Sequence, residues 1–103
     1  MAILGTAKPV ANTLTTLYTV PNGRMAVINV AACNTGSTAA KVRLAVSASA
    51  TPADSEYIEF DVSLAGTEVL ERTALSLAAG DKIVVRADTA AVTFNAWGIE
   101  EVA

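Results

Sequence analysis

The densest group of side chains able to do chemistry in this 103-residue chain is acidic: Asp54, Glu56, Glu59 and Asp61 fall close together. Glu59 and Asp61 are two positions apart, so on a strand they share one face, about 7 Å from each other. Calcium needs several oxygen ligands from one tight loop, and no glycine-turned loop joins these four. A glycosidase needs two carboxylates across a sugar-sized cleft, and nothing else in the sequence builds one. A solvated strand face is the reading that fits. Lys41 and Arg43 make a short basic face on another strand. Glu59 and Asp61 could oppose it, each cross-strand pair contributing roughly a few tenths of a kcal/mol.

The remaining chemistry is sparse. There is no histidine, which removes the usual general base and the commonest metal ligand. Serine and threonine are abundant, but without histidine the usual nucleophile–base pair is missing. No glycine-rich phosphate loop occurs; Asn34-Thr35-Gly36 reads as a turn. No enzyme activity, metal or cofactor is expected. Cys33 is the single cysteine, so no disulfide forms within the chain; in an apolar run it reads as a small hydrophobe. Trp97 is the single tryptophan. An exposed tryptophan could stack on a sugar, but only Tyr18 and Tyr57 are obvious candidates to join it, so core or subunit-interface packing is the better reading.

Composition narrows the partners. The seven basic residues are scattered against ten acidic ones, giving a net charge of −3. Phosphate binding needs several cations on one face, so no nucleic acid is expected. No stretch approaches a membrane span. Met-Ala-Ile-Leu-Gly-Thr-Ala-Lys lacks a basic leader and a long apolar run, so synthesis and folding in the cytoplasm are expected. The chain is 52% hydrophobic but only 5% aromatic, which predicts a thin, closely spaced core with Leu44, Phe60 and Phe94 as its main fillers.

The elements that position these residues read as strands. Residues 1–12 are apolar but interrupted by Gly5 and Pro9, which suits an edge strand, a frayed terminus or an arm docking on a neighbouring subunit. The arm reading would give Ile3, Leu4, Pro9 and Val10 a contact to make. Residues 13–103 form the domain proper. Thr13 to Gly36 has the pattern of a β-hairpin turning at Pro21-Asn22-Gly23-Arg24. Its return strand sets Ile28, Val30 and Ala32 on one face and Val27, Asn29 and Ala31 on the other. Both faces are largely apolar, which implies a central strand or a face covered by a partner. The next strand alternates Val42, Leu44 and Val46 inward with Lys41, Arg43 and Ala45 outward. Ser47 to Ser55 is an exposed, mobile loop candidate. Beyond it Ile58, Phe60 and Val62 alternate with Tyr57, Glu59 and Asp61. Thr67 to Thr73 is ambiguous between a helical turn and a strand, with its β-branched content favouring strand. Strands at Lys82–Ala87, with Ile83 and Val85 inward, and at Val92–Ile99 complete the set. Turn signals about every ten residues predict a single all-β sandwich of seven to eight antiparallel strands, jelly-roll-like or Ig-like.

Several of these pieces recur in a familiar order. They are Leu17-Tyr18-Thr19-Val20-Pro21-Asn22-Gly23, Cys33-Asn34-Thr35-Gly36, Val42-Arg43-Leu44-Ala45-Val46 and Glu56-Tyr57-Ile58. Leu75-Ser76-Leu77-Ala78-Ala79-Gly80-Asp81 and Val92-Thr93-Phe94-Asn95-Ala96-Trp97-Gly98 follow. Over residues 13–100 the set resembles a family of small virion structural proteins of tailed bacteriophages. The resemblance implies a non-enzymatic β-sandwich that self-associates and binds the major capsid protein or other virion proteins. With no shaft, coiled coil or second domain, a capsid decoration (cement) protein on the outer shell, often a trimer, is the member of that class expected. A tail, neck or fibre component is the alternative within it, and a carbohydrate-binding module is the alternative outside it.

Overall fold

The computed structural model describes residues 2–103. Eight strands account for most of them: β1 (Ala2–Ala7), β2 (Thr15–Thr19), β3 (Arg24–Asn34), β4 (Ala40–Ser47), β5 (Tyr57–Leu64), β6 (Val69–Leu77), β7 (Lys82–Ala87) and β8 (Val92–Val102). A single 3-10 turn, Asp54–Glu56, precedes β5. β3 shows why such segments are strands. Ala26, Ile28, Val30, Ala32 and Asn34 are buried while the residues between them are not, the period of two that a pleat imposes.

The strands form two antiparallel sheets, ordered β1-β8-β3-β6 and β2-β7-β4-β5. Every connection except β4–β5 crosses from one sheet to the other. Eight strands in two facing four-stranded sheets with this order are the jelly-roll form of the β-sandwich. The core between the sheets is built from Phe94, Ile28, Ile83 and a set of valines, with Leu17, Leu44, Leu64 and Leu77 toward its borders. Valine and alanine make up much of this interior, as the composition led one to expect.

Four local features correct or refine the expectations. Thr13 to Gly36 is not a hairpin: β2 pairs with β7 in one sheet, and β3 lies between β8 and β6 in the other. The turn between them does form, with Arg24 N–H donating to the Pro21 carbonyl and Gly23 at φ 75°. It carries the chain across the sandwich because the end of β2 is held elsewhere. Val20 N–H donates to Asp81, and Gly80 N–H donates to Val20. A Pro-Asn-Gly turn fixes a reversal of direction and leaves open whether the flanking strands pair or face each other.

The second change is in β5. Val62 pairs with Val42 and Glu59 pairs with Leu44, so both Phe60 and Asp61 oppose Arg43. This is a β-bulge, with Asp61 in the left-handed region at φ 51°. It breaks the alternation, so Phe60 is 53% exposed and is not a core filler. Third, Ser47 to Ser55 is exposed as expected except at Ser47 and Pro52, and it carries side-chain ties of its own. Glu56 accepts from the Ser47 hydroxyl and from Ala53 N–H, while the Ser47 and Ser49 hydroxyls accept from the backbone two residues on. Fourth, Ala45 and its partner Val84 occupy outward positions and are nevertheless fully buried.

Candidate functional site

The acidic group disperses into separate structural tasks. Asp61 accepts two hydrogen bonds from Arg43, at 2.6 and 3.1 Å. The guanidinium hydrogen bond holds the Asp61 carboxyl below the usual carboxylate range. Glu59 does not share that face. The bulge turns it toward β6, where it accepts from Arg72 across the gap between the two sheets. Glu56 organises the loop before β5, and Asp54 lies exposed in the 3-10 turn. Among the described residues no cluster of His, Cys, Asp or Glu could hold a metal ion. No helix among them is long and apolar enough to cross a membrane.

Two buried polar side chains away from the acidic group are also structural. Asn34, fully buried, donates through its side-chain amide to the Thr38 and Leu64 carbonyls and accepts from Gly36 N–H. It thereby joins the end of β3, the following turn and the end of β5. The sequence reading took Asn34 only as a turn residue; its place in the inward register of β3 is the signal for the larger role. Tyr18 points into the sandwich end and donates its hydroxyl to Glu100. Burial, and then that hydrogen bond, push the phenol above its ordinary value of 10.0.

What remains on the surface is a contrast between the two outer faces. On the β2-β7-β4-β5 sheet, Lys41, Arg43, Lys82 and Arg86 occupy outward positions, four of the seven basic residues. Arg43 lies over the Phe60 ring at 4.0 Å, and Tyr57 packs edge-on against Phe60. Arg86 donates to the Asn12 side chain. This face is charged, with Arg43 held by Asp61 and Arg86 by Asn12.

The outer face of the β1-β8-β3-β6 sheet is different. Cross-strand pairing places Ile3 beside Trp97 and Trp97 beside Asn29. In the adjoining rows it places Ile99 beside Val27 and Met25 beside Glu101. Ile3 is 78% exposed, Ile99 52% and Val27 43%. Trp97 is half-buried among them. The outward positions of β3 are Met25, Val27, Asn29, Ala31 and Cys33, with no charge. Glu71 on β6 and Glu101 near the end of β8 are the charged residues at the paired outward positions. The apolar second face of β3 was visible in the sequence. That Ile99, Met25 and Ile3 join it required the strand order, since Ile3 and Met25 reach Trp97 and its neighbours only through β8.

The four N-terminal residues expected to make a subunit or capsid contact are not brought together. Ile3 lies on the apolar face. Leu4 packs against the core, Pro9 is buried, and Val10 is exposed beyond the end of β1. Residues 2–7 pair with β8 as the edge strand of their sheet. Comparison with protein-family models, curated proteins and solved structures finds no match for the chain.

Proposed function

We propose that this chain is a structural protein of a tailed-bacteriophage virion, and specifically a cement protein that binds the outside of the capsid and stabilises the shell. The observation that carries the reading is the jelly-roll strand order, an architecture used by viral capsid proteins. Lectin domains and cupins use it too, so the fold raises this reading without deciding it. Of the acidic group, Glu56, Glu59 and Asp61 are engaged in holding strands and loops together. That suits a component whose task is to present surfaces. Its partner is the major capsid protein, its assembly is homo-oligomeric, and its location is the capsid surface. A tail, neck or fibre part would use the same fold at lower copy number.

The carbohydrate-binding alternative has one feature in its favour: Trp97 faces outward with the Asn29 and Asn95 amides beside it in the sheet. It stands on a flat sheet with no second aromatic paired to it across the strands, whereas sugar sites gather convergent groups in a concavity. The test adds purified protein to capsids assembled without it and follows co-sedimentation and the temperature at which the shells release their genome. Saturable binding with a raised release temperature is expected. Absence of binding, together with glycan binding that Trp97→Ala abolishes without unfolding the chain, would replace this reading with the alternative.

A further inference from the structure

We infer that the outer face of the β1-β8-β3-β6 sheet is a self-complementary interface, and that its occupant is the same face of a second copy of this chain. The inference does not depend on a virion role. Three observations bear on it. The first is size. Four strands spaced about 4.8 Å, the central two running roughly 35 Å, present a face on the order of 600 Å² in projection. With side-chain relief this approaches the roughly 800 Å² that each partner contributes to a standard stable interface.

The second is charge. Along the two central strands the outward positions run Met25, Val27, Asn29, Ala31, Cys33 on β3 and Thr93, Asn95, Trp97, Ile99 on β8. None would be stranded as a charge on burial. Glu71 and Glu101 lie toward opposite ends of the face, at its rim, where water still reaches them. The opposite face of the sandwich, with four cations, would pair badly with a copy of itself. The third is chemistry at the centre. Asn29 Oδ1 already accepts from Ala74 N–H, which leaves its amide NH2 as donor, and Asn95 carries a donor and an acceptor, so an amide on a two-fold-related face can be satisfied by the matching amide or its neighbours. Trp97 and Ile99 supply the apolar anchors that dominate such interfaces.

Like faces can meet only about a two-fold axis, so the unit is a dimer, with sheets crossing at about −30° as in aligned sandwiches. Cys33 lies on this face beside Thr93 and across from Val69, and it becomes an internal reporter of the contact.

The experiment is light scattering on the full chain over a concentration series, paired with maleimide labelling of Cys33. The wild type is expected at twice the 10.5 kDa chain mass, dissociating on dilution, with Cys33 labelling faster as it does so. Ile99→Lys and Val27→Glu place a charge at positions already exposed in the single chain. Each is expected to weaken association on the order of 100-fold, with circular dichroism and the melting midpoint of the dilute chain unchanged. Lys41→Ala, on the opposite face, is expected to leave association as it was. A wild type that stays monomeric at about 100 μM, well above the micromolar range of weak standard-size interfaces, would overturn the inference. So would association that survives both face variants, a trimer with no dimer, or Cys33 labelling independent of dilution.

Discussion

Asp61 combines two roles that one substitution can separate. It adopts a left-handed backbone conformation in the β5 bulge, and its carboxylate holds Arg43. Asparagine tolerates that conformation about as well, so Asp61→Asn removes the charge and keeps the bulge. The carboxyl titrates below its ordinary value of 3.8 in the folded chain because of Arg43. Its contribution is therefore complete above that value and is lost as pH falls through the lower folded value. Urea titrations from pH 5 to pH 2 should show the wild type losing more stability than Asp61→Asn; parallel profiles would contradict this. Asn34 is the second residue whose replacement is diagnostic. Asn34→Asp aims a carboxylate at the Thr38 and Leu64 carbonyls in a fully buried site. A loss of about 3–5 kcal/mol is expected for an uncompensated buried charge, read from the denaturation midpoint at neutral pH; a loss within about 0.5 kcal/mol, typical of surface sites, would contradict the role assigned to it. The acidic group was legible in the sequence as a close-set run of carboxylates. Their individual partners were not, because one bulge reassigns Glu59 and Asp61 to opposite faces and no periodicity announces an inserted residue.

β1 shows what an element contributes when it is read from pairing. It covers the edge of β8 and sets Leu4 against the core, with Gly5 so close to the Leu17 carbonyl that a Cβ there would collide with it. Removing residues 2–8 should therefore do more than shorten a tail. Loss of Leu4 packing alone is worth about 1–2 kcal/mol, and the uncovered β8 becomes a template for pairing between chains. A lower melting midpoint with concentration-dependent aggregation is expected, and an unchanged midpoint would show β1 to be dispensable. Strand existence was legible at β3, β4 and β7, from alternation at β4 and from β-branched apolar runs at β3 and β7. Strand partnership was not: β2 and β3 are adjacent in sequence, carry apolar sets of similar strength, and still enter different sheets. The reason is long-range. The β6–β7 turn captures the end of β2 through Gly80 and Asp81, and only the folded topology places that turn there.

At the scale of the whole molecule, the sandwich has one face that carries four cations and one whose two central strands carry no charge but Glu101 at outward positions. Its edges differ as well. On one side β6 and β5 are joined by the Arg72–Glu59 pair, and each carries a bulge with a left-handed residue, Ala74 and Asp61. Bulges and inward charges of this kind discourage strand addition at these two edges. The sandwich class was legible from turn spacing, and the jelly-roll order resolves the choice the spacing left between two sandwich types. The facial contrast was only half legible, because residues from β1, β3 and β8 compose it together. A small domain that presents two unlike surfaces fits a part that joins other parts. The direct test of that account is the number of copies per particle, measured by quantitative mass spectrometry of purified virions against the major capsid protein. A ratio near one, or a simple fraction of it, is the result expected of a shell-covering cement protein. Absence of the chain from the particle would contradict the virion assignment outright.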